Sequence, residues 1–446
     1  MNKDHDLTQG SVLKVLVRFA LPFLFSSFMQ ALYGAVDLMV VGQFSGVSAI
    51  SAVNIGSQIM QIVTCFVIGI SMGVTVKLAH AVGCRDDRYA ARIVGSTFVL
   101  FALLALAGTP LMLWQADNMA ALLHTPAEAM TETVQYVRIC SAGLPFIIAF
   151  NVIAGLLRGL GDSKTPMYFV GIACGVNVAG DLLLVSVFGM GVAGAALATT
   201  AAQFVSSAGG VMYLARHKFP FGFSWKNVRL DRAAVRGITA VGLPIAMQDT
   251  LISISFILLT VIANGRGLVA SSAVGVVEKL IMFMFLVPDS MLSAISTITA
   301  QNVGAGKPER AVQSVKLGIA IAASFGAAMC ALSWMIPSAL TGIFSKDAAV
   351  IASAGEYLKT YSIDCILVAF TFCLNGYLCG TEHSMVTFVH NVLSIFLVRI
   401  PAAYYFSIKF PESLLPMGLA SPLGSVASLL ILAGYFLWRR AKRRRE

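Results

Sequence analysis

An amide and a carboxylate lie four residues apart in an otherwise apolar stretch of this chain. Residues 175 to 185 read GVNVAGDLLLV, so Asn177 and Asp181 would share one face of a helix. An aspartate at the centre of a membrane helix costs about 2.5 to 3.5 kcal/mol on insertion scales, and such residues usually face a protein interior or a transport path. The stretch therefore predicts a buried polar site.

Two further polar side chains can be placed at a similar depth by counting along the chain. Asp37 follows Pro22 by fifteen residues, and Asp181 follows Pro166 by the same number. Each carboxylate would then lie about 22 Å beyond its proline in a helix. Thr199 comes eight residues into the next apolar run, at a level roughly 10 to 12 Å below the outer surface. We predict that one helical bundle brings together Asp37, Asn177, Asp181 and Thr199.

The chemistry of this set is that of a monovalent cation site. Two neighbouring carboxylates repel each other unless one is protonated or a cation lies between them. Apart from the amide nitrogen, all donors are oxygens, which suit Na⁺ or a proton rather than zinc or copper. We expect H⁺ or Na⁺ at these four residues and no other cofactor. The alternative is a cluster that only fixes helix packing.

The composition shows what kind of chain must position these residues. Its 446 residues are 58% hydrophobic and 12% charged, with a mean hydropathy of +0.83, whereas soluble domains carry about 25% charged residues. Apolar runs of about 20 residues, enough to cross a hydrocarbon core of roughly 30 Å, recur along the whole length. We predict twelve membrane helices near 15–42, 50–80, 92–114, 132–157, 166–188, 191–214, 235–263, 270–302, 312–336, 355–378, 386–408 and 418–438.

The basic residues indicate how the chain is oriented. If the N-terminus is cytoplasmic, most Lys and Arg fall on the inner loops and ends, and the outer loops hold only Arg266, Lys346 and Lys409. The positive-inside rule then predicts a multi-pass protein of the plasma (inner) membrane with both termini in the cytoplasm. The terminal RRAKRRR would contact anionic membrane lipid. We therefore expect no nucleic-acid partner, despite the net charge of +10.

The chain contains an internal repeat. A shift of 221 positions aligns Ser51-Ala52-Val53 with Ser272-Ala273-Val274, and Gly155 and Gly159 with Gly376 and Gly380. Repeats with an even number of spans share one orientation, and in transporters such halves form two bundles around a central cleft. We predict an all-α protein with two pseudo-symmetric six-helix lobes. Its segments would be an N-terminal lobe (1–214), a cytoplasmic linker (215–234), a C-terminal lobe (235–438) and a basic tail (439–446).

The repeat also offers a comparison for the polar site. Under the same shift, Asn177, Asp181 and Thr199 become Val398, Ala402 and Ala420, and Asp37 becomes Leu258 or Leu259. Because the second half lacks the cluster, packing alone does not require it, which favours a functional role.

The second half carries intramembrane charges of its own. Candidates to line a second-lobe cavity are Asp249, Asp289, Asp364 and Arg399. Glu278 and Lys279 fall near the predicted outer interface, where long side chains extend to the headgroups. Lys77 and His390 could line a cavity or pair locally.

Several motifs argue against other classes of protein. GMGVAG (189–194) joins two membrane helices instead of a strand and a helix, so it does not predict a dinucleotide site, and GAGK (304–307) lacks the upstream glycine of a phosphate loop. The chain has no HExxH or GxSxG motif, and we predict that it is not an enzyme. Its eight cysteines include no CxxC pair and are interpreted as packing residues.

Five stretches together resemble the multidrug and toxic compound extrusion (MATE) family. They are RGLGDSKTPM (158–167), NVAGD (177–181), GVAGAALAT (191–199), AQNVGAGKPERA (300–311) and RIP (399–401). The resemblance covers nearly the whole chain. It implies a cation-coupled antiporter with two six-helix lobes and a large central cleft, which exports organic cations or drugs in exchange for H⁺ or Na⁺.

The resemblance also implies a branch of that family. The coupling site of DinF-like members falls on Asp37, Asn177, Asp181 and Thr199, with Pro22 as the bending point of the first span. The second-lobe carboxylates of NorM-like members would fall near Ile252 and Val368, where this chain has none. A DinF-like assignment is favoured, and we expect a monomer.

Two alternative functions stay open. One is a flippase for lipids or lipid-linked sugars of related architecture, although Lys77, Lys279 and Arg399 are too few and scattered to form a strongly basic cavity. The other is a non-transporting membrane sensor or channel.

Overall fold

The structure, a computed structural model, describes residues 6–123, 125–217 and 219–443, and these are almost entirely helical. The α-helices are α1 (Val12–Phe44), α2 (Val47–Cys84), α3 (Asp87–Leu122), α4 (Ala127–Ala142), α5 (Leu144–Gly159), α6 (Lys164–Asp181), α7 (Gly191–Arg216), α8 (Arg232–Asn264), α9 (Leu268–Met284), α10 (Leu286–Gly304), α11 (Pro308–Met335), α12 (Pro337–Thr341), α13 (Ala348–Tyr361), α14 (Asp364–Gly380), α15 (Ser384–Ser394), α16 (Ile400–Lys409), α17 (Leu415–Gly418) and α18 (Ala420–Arg443). Two π-helical segments, Leu182–Val187 and Ile395–Arg399, extend α6 and join α15 to α16.

Each predicted apolar run corresponds to one helix or to consecutive helices. Three runs are bent pairs: α4 and α5 meet at 49°, α9 and α10 at 42°, and α13 and α14 at 47°. Within the described residues, eight further helices are long and apolar enough to cross a membrane. The remaining run is α7, 26 residues rich in Ala, Gly, Ser and Thr. Many large apolar side chains, such as Leu106, Trp114 and Leu430, are exposed, as expected for helices that face lipid.

The chain forms two compact units. The first contains the residues up to Ala246 together with Ala300–Lys307, and the second contains Met247–Thr299 and the residues from Pro308 onward. The linker and the start of α8 therefore belong to the first unit. The lobe and linker boundaries drawn from the sequence stay a prediction.

The internal repeat is visible in helix packing within each unit. In the first unit, a Cβ built on Gly155 of α5 would lie 3.1 Å from the carbonyl oxygen of Ser71 on α2. In the second unit, a Cβ on Gly376 of α14 would lie 2.7 Å from the carbonyl oxygen of Leu292 on α10. The two crossings are related by the shift of 221, and the missing side chains let the backbones approach closely.

The RGLGDSKTPM stretch is a helix cap. Gly161 has a φ of +89°, which a residue with a side chain rarely adopts. Asp162 then accepts hydrogen bonds from the backbone nitrogens of Lys164 and Thr165, both at 3.0 Å, and from the Thr165 hydroxyl at 2.6 Å. Satisfying these donors fixes the start of α6, the helix that carries Asn177 and Asp181.

The end of α10 and the loop after it anchor the N-terminal segment. Gln301 Oε1 accepts a hydrogen bond from the Leu7 nitrogen at 2.9 Å, and Asn302 Nδ2 donates to the Leu7 carbonyl at 3.2 Å. Lys307 Nζ donates to the Thr8 carbonyl at 3.0 Å. The GAGK stretch does not match a phosphate loop in sequence. Its lysine instead binds the backbone of the N-terminal segment.

Candidate functional site

The structure brings the four predicted side chains together inside the first unit. Asn177 Nδ2 on α6 donates to Thr199 Oγ1 on α7 at 3.3 Å, and Thr199 Oγ1 lies 3.5 Å from Asp37 Oδ2 on α1. The Asp37 and Asp181 carboxyl groups lie close enough to interact electrostatically. Three helices therefore contribute to one polar cluster, which we call the acidic cluster.

The acidic cluster is buried and short of hydrogen-bond donors. Asp181 is 0%, Asn177 1% and Asp37 6% exposed, while Thr199 is half-buried. Four oxygens have no donor within the described residues: Asp37 Oδ1, Asn177 Oδ1 and both Asp181 oxygens. Carboxylates only accept hydrogen bonds, and burying unpaired charge costs a great deal of free energy. A proton or a cation shared by these oxygens would meet both demands.

Local sequence explains how α6 and α7 come close enough for this contact. A Cβ on Gly180 would lie 2.9 Å from Ala198 Cβ, and one on Gly194 would lie 3.1 Å from the backbone of Leu184. Larger residues at these positions would push the helices apart. The small residues of NVAGD and GVAGAALAT therefore place Asn177 within reach of Thr199.

Asp181 stands at a change of helix type. It is the last residue of α6, and the π-helical segment Leu182–Val187 begins immediately after it. Such segments widen the helix and occur often at functional sites. The sequence contains no proline here that would have signalled the change.

Two tyrosines near the acidic cluster were missed by sequence reasoning. Tyr136 on α4 is 3% exposed and interacts with Thr199 through its side chain, and Tyr33 on α1 lies close enough to Asp37 to interact electrostatically. Tyr33 precedes Asp37 by four residues, which places both on one helix face. The four-residue spacing was the signal in the sequence that could have identified Tyr33.

The second unit contains a polar cluster of different character around Arg399, which we call the arginine cluster. Arg399 Nη2 donates to the Tyr361 hydroxyl at 3.1 Å, and the guanidinium carbon lies 4.6 Å from the centre of the Phe256 ring. Asp364, 2% exposed, interacts with Arg399 and accepts a hydrogen bond from Ser421 at 2.8 Å. The predicted candidates Asp364 and Arg399 therefore lie close enough to interact electrostatically.

Glu278 lies close to the arginine cluster. It is half-buried, accepts a hydrogen bond from Thr260 Oγ1 at 3.2 Å and interacts with Arg399. Lys279, the next residue, is exposed.

The other charged candidates lie elsewhere. Asp249 is half-buried and interacts with Asp289, which is exposed. His390, fully buried, pairs locally: Nε2 contacts Asn375 Oδ1 at 2.8 Å and Nδ1 contacts Ser428 Oγ at 2.7 Å. An amide oxygen can only accept, so we assign the proton to Nε2 and treat the ring as neutral. Lys77 is half-buried, with its chain packed beside Gly237.

Comparison with known proteins identifies the family. A sequence model of the MatE family matches residues 22–183 and again residues 244–405. The chain therefore belongs to the MatE family, and it is a multi-pass membrane protein with the twelve-helix, two-lobe architecture of that family.

Individual relatives cover nearly all of the chain. The chain is 26% identical over 442 residues to the probable multidrug resistance protein YpnP of Bacillus subtilis (strain 168). The alignment covers 99% of this chain and 99% of that protein. Among solved structures, an outward-facing multidrug resistance MATE family transporter of the MOP superfamily aligns with a TM-score of 0.91 and 22% identity, over 99% of this chain and 98% of that one. A MOP superfamily transporter from Pyrococcus furiosus, described as having a binding pocket of reverse polarity that suggests a different function, aligns with a TM-score of 0.90 and 21% identity over the same shares.

The two family matches refine the internal repeat. They have equal length and start 222 residues apart, at 22 and 244. At this offset Asn177 corresponds to Arg399 and Thr199 to Ser421, both of which belong to the arginine cluster. The second unit thus lacks the acidic pair but does hold polar residues at the related place. The acidic cluster holds two carboxylates, whereas the arginine cluster places a cation beside the carboxylates of Asp364 and Glu278.

Proposed function

We propose that this protein is a secondary antiporter that exports organic cations or drugs in exchange for H⁺ or Na⁺. Membership of the MatE family and the names of its relatives support drug extrusion. The observation that carries the coupling proposal is the acidic cluster, where two buried carboxyl groups face each other and four oxygens lack a donor. We propose that the protein acts as a transporter and not as an enzyme.

The acidic cluster would act by binding and releasing the coupling ion. A bound proton or Na⁺ is shared by the Asp37 and Asp181 carboxylates, and the Asn177 and Thr199 oxygens complete the site. Without it, the carboxylates repel each other across a buried contact. Each elementary charge that moves inward across 100 mV supplies about 2.3 kcal/mol. The ion-bound and ion-free states can therefore favour different conformations of the first lobe.

Pro22 supplies a place where α1 can respond. It lies inside α1, fifteen residues before Asp37, and has no N–H to donate to the carbonyl four residues earlier. Ser26 Oγ donates to the Pro22 carbonyl at 2.8 Å, and a hydroxyl that bonds back to the carbonyl four residues earlier often bends a helix. We propose that occupancy of the acidic cluster changes the bend of α1 at Pro22 and so expels the bound drug outward.

The finer features of the proposal follow the same reasoning. The acidic cluster in the first unit favours a DinF-like coupling scheme over a NorM-like one. The distribution of Lys and Arg favours the inner membrane, with both termini in the cytoplasm. We propose a monomer as the working unit, in contact with membrane lipids.

A lipid or lipid-linked-sugar flippase is the second candidate function. The arginine cluster favours it, because a buried guanidinium is the group best suited to bind an anionic phosphate. The reverse pocket polarity described for the Pyrococcus furiosus transporter shows that relatives of this fold can differ in this respect. In this chain, however, Asp364 and Glu278 already accompany Arg399.

Transport in proteoliposomes tests both candidates. Uptake of a fluorescent organic cation is followed under an imposed pH gradient or an imposed Na⁺ gradient, for the wild type, Asp181→Asn and the exposed control Glu412→Gln. We expect gradient-driven uptake in the wild type and control and none in Asp181→Asn, with the active gradient naming the ion. Equal uptake in all three proteins would refute the coupling role of the acidic cluster. Translocation of a fluorescent phosphatidylglycerol, with no uptake of the cation, would favour the flippase.

A further inference from the structure

The linker between the two predicted lobes is docked against α3. A Cβ on Gly95 would overlap with the carbonyl oxygen of Asn227, so only glycine permits this approach. Ser96, fully buried, donates through Oγ to the Arg229 carbonyl at 3.1 Å and accepts from the Asp231 nitrogen at 2.9 Å. A single hydroxyl on α3 thus fixes two points of the linker backbone.

Aromatic packing fixes the preceding part of the linker. Phe223 makes edge-to-face contacts with Phe98 of α3 and with Phe219, with centroid distances of 6.3 and 5.1 Å. Phe221 stacks on Phe219 at 5.5 Å and is 5% exposed. Aromatic pairs of this kind stabilise the fold beyond the effect of the area that they bury. The linker is therefore a packed element of the first unit and not a flexible tether.

The docked linker and the start of α3 line an open cavity of about 510 Å³. Four cationic side chains and two carboxylates line it: Arg88, Arg92, Lys226, Arg229, Asp87 and Asp231. Asp231 is already engaged, because Oδ1 accepts from the Ala234 nitrogen at 3.0 Å and Oδ2 lies 3.8 Å from Arg92 Nη1. Arg92 is thereby compensated.

The remaining cations have no such compensation. The side chains of Arg88, Lys226 and Arg229 make no hydrogen bond or ion pair with any residue in the described ranges. Asp87 is the one further carboxylate in the lining. The docked linker and α3 therefore place three exposed cationic side chains around one cavity, where an anion of more than one charge would reduce their repulsion.

The geometry points to a site for a phosphate group at this cavity. Guanidinium groups bind phosphate through paired N–H donors, and lysine adds a point charge. The cavity lies where α3 and α8, both long enough to span the membrane, begin. Basic clusters at such helix ends bind the headgroups of anionic lipids. The ligand is a phosphate-bearing anion, supplied either by a lipid headgroup or by a soluble phosphate compound.

The test compares two triple variants of equal charge. The site variant is Arg88→Gln/Lys226→Gln/Arg229→Gln, and the control is Arg216→Gln/Lys316→Gln/Arg440→Gln, whose residues are exposed and lie outside the cavity. Delipidated protein is given phosphatidylglycerol or phosphatidylcholine, and bound lipid is counted by native mass spectrometry while Tm is recorded. In a separate arm, pyrophosphate is titrated and compared with sulfate at equal ionic strength.

We expect retained phosphatidylglycerol and the accompanying rise in Tm to fall by at least half in the site variant and to persist in the control. Stabilisation by pyrophosphate but not by phosphatidylglycerol, again lost only in the site variant, would support the site with a soluble ligand. Equal loss in both variants, or no loss in either, would overturn the proposal, because bulk surface charge would then explain any binding. The variant Arg88→Lys/Arg229→Lys keeps the charge and is expected to retain binding, which separates charge loss from misfolding.

Discussion

Gly83 on α2 and Gly304 on α10 hold equivalent places on the two sides of one helix crossing. A Cβ on Gly83 would overlap with the carbonyl oxygen of Gln301, and a Cβ on Gly304 would overlap with the carbonyl oxygen of His80. The shift of 221 relates Gly83 to Gly304 and His80 to Gln301. The contact is therefore reciprocal, as at an interface with twofold symmetry. All four residues belong to the first unit.

Adding a methyl group at this crossing should destabilise the protein. We expect Gly83→Ala and Gly304→Ala each to lower the free energy of unfolding by about 1 to 3 kcal/mol, because the new atom has no room and the backbones must separate. Thermal unfolding in detergent measures the effect. Gly275→Ala in α9 is the control, because a Cβ there meets nothing within 4 Å and alanine favours a helix. Equal Tm values for all three variants would contradict the close packing.

The Thr199 hydroxyl should contribute to binding of the coupling ion. It links Asn177 to Asp37, and a hydrogen bond to a charged group contributes about 1.5 to 3 kcal/mol. We expect Thr199→Val to weaken the apparent affinity for the ion by about tenfold or more, and Thr199→Ser to restore most of it. The ion concentration that gives half-maximal drug transport measures this affinity.

Thr200 provides the matched control for this substitution. Its hydroxyl donates at 2.8 Å to the Ala196 carbonyl of its own helix, so Thr200→Val removes a hydroxyl of the same kind from the neighbouring position. We expect its ion dependence to equal that of the wild type. A shift of similar size in both variants would show that the change acts through α7 as a whole.

The acidic cluster could be predicted from the sequence because its signals are local. Asp37, Asn177 and Asp181 are polar residues in apolar runs, and straight helices make depth countable. The π-helical segment after Asp181 and the contact of Tyr136 with Thr199 depend on how helices pack, which residue spacing does not encode. The docking of the linker rests on Gly95 and Ser96, two ordinary small residues in an apolar helix.

Removing the buried cation of the second unit should cost far more than breaking a surface ion pair. Arg399→Met leaves the buried Asp364 and the half-buried Glu278 without the nearby cation, and removing one partner of a buried charge interaction costs about 3 to 5 kcal/mol. Arg138→Gln breaks the pair with Asp117, whose side chains are 54% and 55% exposed, at a cost of about 0.2 to 1 kcal/mol. Thermal unfolding in detergent compares the two.

A double variant distinguishes charge from packing at Arg399. If uncompensated charge is the cause, Arg399→Met/Asp364→Asn should recover part of the stability that Arg399→Met loses. No recovery would mean that the guanidinium acts mainly through its contacts with Phe256 and Tyr361.

Pro22 should affect the rate of transport more than the affinity for the coupling ion. Pro22→Ala restores an N–H donor to the interior of α1, which strengthens the helix and opposes bending. Since Pro22 lies fifteen residues from Asp37, the acidic cluster itself should be unchanged. We expect drug transport in proteoliposomes to slow by at least about tenfold, equivalent to about 1.4 kcal/mol, with half-maximal ion concentration within twofold of the wild type.

Pro110 makes this prediction specific to the first span. It also lies inside a long helix, α3, and is exposed, so Pro110→Ala adds the same donor far from the acidic cluster. We expect its transport rate to match that of the wild type. If Pro22→Ala and Pro110→Ala slow transport equally, helix stiffness in general limits the rate. If Pro22→Ala transports at the wild-type rate, α1 does not transmit the state of the acidic cluster by bending at this position, and the link to drug release must lie in α6 and α7.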